Sequence, residues 1–430
     1  MNKGNKKIQK AWTFYDWANS VYPLVISSAI FPIFYEGYVD ENVIFFGFEF
    51  INTALITLLS SCYFLILVFI LPILSGIADS SGNKRAFMQF FCYLGSFSCV
   101  LLSFFDKNHL EISMLLFVIT GIGFWSSLVF YNAFLPEIAH KKDHDSLSAR
   151  GFSMGYFGSV ILLLICLFLI FTAPEDQRSF YTRMCFALTG FWWFGFSQIT
   201  FKSLPKGNKI KINEKSTYQK GILELNNVRK YIIKTKRLKK FIYSFFVYSM
   251  AVQTIMLVAV YFGTKEINWG EENNSKLGLI ISILLIQLIA IPGSLLLARI
   301  SKLKGNLFAL KLVVFIWIIL CLTAFVVYEP IHFYFVCGFV GLVMGGIQSL
   351  SRSTFSKYIP TGTKDTSSFF SFYDISEKLG IVIGMFSYGF IEQITGSMRN
   401  SIVALVVFFI IGLILLFQVP KEEIILESYG

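Results

Sequence analysis

Apolar residues in this chain fall in long, nearly unbroken blocks that recur along its whole length. A helix crossing a bilayer needs about 20 apolar residues, and the blocks reach that length again and again. Twelve helical spans are expected, over residues 11–36, 50–76, 86–105, 112–135, 151–173, 182–204, 241–262, 277–299, 308–328, 332–355, 367–392 and 400–419. Short polar turns separate most of them, and the longest polar stretch is 205–240. The pattern predicts an all-α integral membrane protein. Two six-helix bundles, 1–204 and 241–430, are joined by a basic linker, 205–240. An even number of crossings puts both termini on one side.

Composition agrees with the pattern: 55% of the 430 residues are hydrophobic, 48 are Phe and only 15% are charged. The net charge of +11 would suggest nucleic acid if the cations clustered on a soluble domain. They lie instead in alternate loops. With both termini in the cytoplasm, 30 of the 37 basic residues fall on the cytoplasmic side. Six fall opposite (Lys107, Arg178, Arg183, Lys265, Lys276 and Arg399), and Lys378 lies within a span. That asymmetry follows the positive-inside rule and needs no nucleic-acid partner. Basic stretches of the linker, such as R-K-Y-I-I-K-T-K-R-L-K-K, also suit anionic lipid heads. The seven cysteines all lie in apolar runs without C-x-x-C spacing, and the four histidines are scattered. Neither disulfides, a metal site nor a cofactor is expected. No cleavable signal or organelle-targeting segment is evident, and a bacterial inner membrane is the expected location. A monomer is the expected state.

The two halves carry traces of one another. L-P-I-L-S-G-I-A-D (71–79) parallels I-P-G-S-L-L-L-A-R (291–299), and each is followed by a short basic turn with a glycine. Y-D-W-A-N-S in the first span parallels Y-S-M-A-V-Q in the seventh. Repeated six-helix halves with a long central loop are the plan of transporters that work by alternating access.

Several polar residues lie at membrane depth, where they are costly unless they face protein or water. Asp16, Asn19, Ser20 and Pro23 share one helical face, with Tyr15 and Tyr22 beside it. Either they line a transport path or Asp16 anchors the helix end at the interface. Tyr131 and Asn132 end the fourth span, Gln253 lies in the seventh, and Gln348 and Arg352 share a face of the tenth. Arg352 suits either a substrate carboxylate or an ion pair with Asp374 or Glu377. Asp374 and Lys378 are four apart, a good helical pair, with Glu377 adjacent. This cluster is either structural or part of proton coupling and substrate binding. If protons drive transport, Asp16, Asp374 and Glu377 are the candidate carriers. Gly151, Gly155 and Gly158 mark close helix packing.

The turn S-G-I-A-D-S-S-G-N-K-R (75–85) resembles the signature between the second and third helices of the major facilitator superfamily. Asp79, Gly82, Lys84 and Arg85 match it, while Ser75 and Ser80 depart from it. W-T-F-Y-D-W-A-N-S, F-Y-N-A-F-L-P and G-G-I-Q-S-L-S-R-S are similar to motifs of the vacuole effluxer family, which includes autophagy-related protein 22-like transporters. The resemblance implies the major facilitator fold, a breakable contact at Asp79 and its basic neighbours, and secondary transport of a small solute. Fungal members of the family are associated with amino-acid efflux, so amino acids or related metabolites are the solute class considered, while the motifs themselves do not specify the substrate. Family members often carry an acid in the seventh helix, where this chain has Ser249 and Met250. Competing readings are a membrane-embedded enzyme, which the scattered histidines disfavour, and a lipid-moving protein. No Walker-type phosphate loop is present.

Overall fold

A computed structural model of the chain describes residues 3–206, 214–270 and 272–421. Part of the expected linker (207–213) and the end of the carboxy-terminal segment (422–430) lie outside the described residues. The first span begins as α1 (Lys6–Asn19), whose N-cap Asn5 accepts from the amides of Lys7 and Ile8. It widens into a π-helix over Tyr22–Ala29 and resumes as α2 (Ile30–Tyr38). Pro23 lies at the start of the wide stretch. It lacks an N–H and crowds the carbonyl four residues back, so the α ladder breaks there. A π turn re-pairs the backbone one residue further back, as the Ile30 amide does with the Val25 carbonyl.

An unanticipated feature follows: an antiparallel hairpin of β1 (Asn42–Phe45) and β2 (Phe48–Ile51). Phe46 and Gly47 both have positive φ, 49° and 83°. Two such residues make the tight turn whose twist suits a hairpin. All the other described regular structure is helical. It comprises α3 (Asn52–Ser81), α4 (Lys84–Leu101), α5 (Leu110–Ala133), the short α6 (Leu135–Ile138), α7 (His144–Thr172) and α8 (Arg178–Ser203). Then come α9 (Glu214–Lys234), α10 (Lys236–Glu266), α11 (Glu272–Lys304), α12 (Asn306–Val326), α13 (Pro330–Tyr358), α14 (Thr366–Thr395) and α15 (Met398–Phe417).

By length and composition, ten of the described helical segments can cross a membrane. The other two expected spans are also long helices, α8 with 26 residues and α14 with 30. Arg183, Gln198 and Lys202 dilute the first, and Asp374, Glu377 and Lys378 the second. The stretch expected as a linker contains the helix α9.

Two compact units emerge. One comprises Asn5–Asn132 and Met154–Gly221, and the other Met1–Gly4, Ala133–Ser153 and Ile222–Gly430. In the amino-terminal unit, Phe31 stacks on Phe117 (centroids 4.9 Å) amid Phe105 and Phe186. Lipid supplies no hydrophobic drive between helices, so close backbone approach matters more. A Cβ on Gly123 would collide with the backbone of Gly95, so α4 and α5 touch main chain to main chain. In the carboxy-terminal unit, a Cβ on Gly293 of α11 would strike the backbone of Leu342, and one on Gly341 of α13 the backbone of Ile286.

Two arginines stitch helix ends together. Arg399 donates to Glu266 Oε2 (2.8 Å) and to the carbonyls of Glu266 (2.7 Å) and Phe325 (2.8 Å). Its guanidinium lies 3.8 Å from the Tyr328 ring centroid. Arg183 donates to the Phe105 carbonyl at 3.2 Å. Both supply donors to helix-end carbonyls that would otherwise lack partners.

Candidate transport and coupling sites

In the amino-terminal unit, Trp12, Asp16 and Asn19 recur at one face of α1 and are buried. The Tyr131 hydroxyl, from α5, donates to Asp16 Oδ2 at 2.7 Å. The Trp12 ring stacks on Tyr131 at 4.4 Å, and its indole N–H donates to the Tyr131 carbonyl at 2.9 Å. Tyr15 packs beside the same ring at 5.0 Å. Asp16 is 4% exposed, so it is an interior carboxylate. Asn19 Oδ1 accepts from Ser20, while its buried Nδ2 has no hydrogen-bond partner. A buried donor left unmade costs about 1–3 kcal/mol. Tyr22 lies further along, at the first π turn, against Phe124 (4.7 Å). Asn132 is half-buried near the end of α5.

The carboxy-terminal unit holds the densest charge. Lys378 Nζ, with a fully buried side chain, lies 3.0 Å from Asp374 Oδ1 and 2.9 Å from Glu377 Oε2. Gln253 of α10 donates to Glu377 Oε1 at 2.6 Å. Two carboxylates thus face one ammonium, and Asp374 Oδ2 is buried without a hydrogen-bond partner. Nearby on α10, Tyr248 shares a 2.7 Å hydrogen bond with Ser351 of α13. Gln348 donates to the Met256 sulfur at 3.4 Å.

Arg352 contacts α7. Its Nε donates to Ser148 Oγ and its Nη2 to the Ser148 carbonyl, both at 2.9 Å. The guanidinium lies over the Phe152 ring at 4.2 Å. Ser148 Oγ donates onward to the Ser349 carbonyl at 2.8 Å. The candidate residues Tyr15, Asp16, Asn19, Tyr22, Tyr131 and Asn132 therefore belong to one unit, and Gln253, Gln348, Arg352, Asp374 and Glu377 to the other.

Sequence reading missed a polar centre at the start of α7. Asp145 accepts from Lys357 (2.5 Å), Asn306 (2.7 Å) and Ser301 (2.9 Å). Lys357 also donates to Asn306 Oδ1 at 2.7 Å. Around it, Thr366 donates to Glu137 (2.9 Å), and Ser153 pairs with Ser294 (2.7 Å). These bonds fasten 133–153 to the helices after the linker, as one unit. The available signal was an acid in the first turn of a helix, which also has the ordinary reading of helix-dipole complementation.

The signature turn is built as its residue types require. Gly82 caps α3 with φ 66°, a left-handed conformation that suits glycine. Lys84 Nζ lies 3.7 Å from the buried Asp79 Oδ1, and Arg85 Nη1 donates to the Leu204 carbonyl at 2.7 Å. A Cβ on Gly76 would collide with the backbone of Gly221, so α9 crosses α3 at two glycines.

Comparison with known proteins fits this architecture. The chain is 30% identical over 426 residues to the uncharacterized MFS-type transporter YxiO of Bacillus subtilis, covering 98% of this chain and 97% of that one. It is 24% identical to autophagy-related protein 22 of Vanderwaltozyma polyspora, covering 85% and 76%. Among solved structures, the proton:xylose symporter XylE superposes with a TM-score of 0.71 at 13% identity, covering 97% of this chain and 96% of that one. The E. coli fucose:proton symporter gives 0.67 at 15% identity, covering 97% and 98%. The fold is that of the major facilitator transporters. The family model described as vacuole effluxer Atg22-like matches residues 4–427, and the chain belongs to that family.

Proposed function

We propose that this chain is a secondary active transporter that moves a small solute of the amino-acid class by alternating access, coupled to protons. The observation that carries the reading is the α14 cluster. Asp374 and Glu377 leave one formal negative charge beyond what Lys378 offsets, and an Asp374 oxygen is buried without a partner. A lone charge at membrane depth is costly, and a proton removes it. Lys378 among two carboxylates also presents both signs of charge within about one hydrogen-bond length. A zwitterion with an ammonium and a carboxylate can exchange with those partners. Asp16, held by Tyr131, is the second candidate carrier, and Asn19 offers a buried donor to a polar solute.

The test is uptake of labelled amino acids into proteoliposomes under an imposed pH gradient. Accumulation should rise with the gradient and collapse on adding a protonophore. Glu377→Gln should uncouple uptake from the gradient. Asp16→Asn keeps an acceptor for Tyr131, so it should fold normally while losing transport. Uptake indifferent to the gradient would refute proton coupling. Normal transport by Asp16→Asn would remove the first helix from the path.

A further inference from the structure

A groove of about 910 Å³ lies wholly within the carboxy-terminal unit, at the lysine-rich end of α10, α11, α12, α13 and α15. Six of its 15 lining residues are basic: Lys141, Arg237, Lys304, Lys311, Lys357 and Lys421. None is acidic. Lys357 is partly neutralised by Asp145. Arg237, Lys304 and Lys311 lie instead over the rings of Tyr358 (4.3 Å), Phe308 (5.0 Å) and Phe417 (4.2 Å). Those rings orient the cations without cancelling their charge. Arg237 Nε is buried and has no hydrogen-bond partner.

A second feature has the same sign. Gly305, Asn306 and Leu307 line the groove at the first turn of α12. No side chain caps that helix, so its first amides point outward as anion donors. The remaining wall is apolar: Leu312, Phe315, Leu413 and Phe417. Phe315 is 51% exposed and Phe417 66%, on helices of membrane-spanning length.

We infer that this groove holds an anionic phospholipid, its phosphate among the basic side chains and the α12 amides, one acyl chain along Phe315 and Phe417. A free phosphate would use the cations but leave the apolar wall uncovered. Basic pockets between helices on the cytoplasmic side bind anionic headgroups by this combination. The site is separate from the α14 cluster and does not depend on what the protein transports.

The experiment is native mass spectrometry of the delipidated full chain, titrated with phosphatidylglycerol, phosphatidylcholine or inorganic phosphate. Phosphatidylglycerol should bind with defined stoichiometry, and phosphatidylcholine at least tenfold more weakly. Arg237→Gln/Lys304→Gln/Lys311→Gln should weaken phosphatidylglycerol at least tenfold. Arg229→Gln/Lys230→Gln/Lys234→Gln, on the exposed face of α9, should change it less than twofold. Lys304→Gln alone, at an exposed position, should weaken binding about threefold and keeps the test valid if the triple variant misfolds. Equal binding of the two lipids overturns the proposal. So does equal loss in both triple variants, which would mean diffuse attraction. Displacement of phosphatidylglycerol by millimolar inorganic phosphate would replace the lipid with a soluble anion.

Discussion

Asp145→Ala removes the acid to which the 133–153 segment is fastened. Its carboxylate accepts from three groups, at 2.5 Å from Lys357, 2.7 Å from Asn306 and 2.9 Å from Ser301. The Asp145 side chain is 6% exposed and that of Lys357 20%. Deleting one partner of a fully buried pair costs about 3–5 kcal/mol, and the partial exposure of Lys357 places the expected loss near the lower end, about 3 kcal/mol. At 1.4 kcal/mol per factor of ten, that is roughly a 100-fold rise in local opening. Hydrogen–deuterium exchange read by mass spectrometry should show a corresponding loss of protection in peptides covering 141–153. Peptides from α15 should be unaffected. A double-mutant cycle with Lys357→Ala should return a coupling of about 1–3 kcal/mol. Unchanged protection over 141–153, or equal loss throughout the chain, would refute the assignment of Asp145 as a local fastener.

Two further outcomes follow from packing and charge. Lys378→Met strands the buried Asp374 and the half-buried Glu377 and should cost about 3 kcal/mol, read as a lower unfolding temperature in detergent. Adding Asp374→Asn and Glu377→Gln should recover most of it, and a single variant as stable as the parent would show that the pairing contributes nothing. Gly293→Val places methyls against the Leu342 backbone and should cost about 1–3 kcal/mol. Gly389→Ala faces open space and should be neutral or stabilising by up to about 1 kcal/mol. Equal effects at the two glycines would refute the close α11–α13 approach.

Ten of the twelve expected spans return as helices long and apolar enough to cross a membrane, because bilayer thickness imposes a length that few other constraints imitate. Local pairs were legible too: Asp374 and Lys378 are one helical turn apart and do meet, at 3.0 Å. Partners distant in sequence were not. Gln253 reaches Glu377 across 124 residues, and Arg352 reaches Ser148 across 204. Spacing along one helix offered Arg352 a substrate carboxylate or an acid of α14, and nothing local pointed to a serine of α7. The hairpin was hidden because residues 37–49 fall between two long spans and its turn, Phe46–Gly47, lacks the Asn-Gly or Asp-Gly pair that marks such turns. The helix α9 was hidden by its polarity, since a basic stretch with few apolar positions reads as a connector.

The arginines at the helix ends bear on how such a chain is threaded into its membrane. On the face read as external, Arg399 and Arg183 are engaged with backbone carbonyls, Lys107 lies 3.5 Å from Asp40, and Lys265 lies 3.7 Å from Glu392. Arg399 and Arg183 therefore serve as internal fittings, whereas Lys107 and Lys265 keep side chains 44% and 64% exposed. A cation can thus be kept on a sparsely basic face for the carbonyls it binds, apart from any weight it carries in orienting the chain.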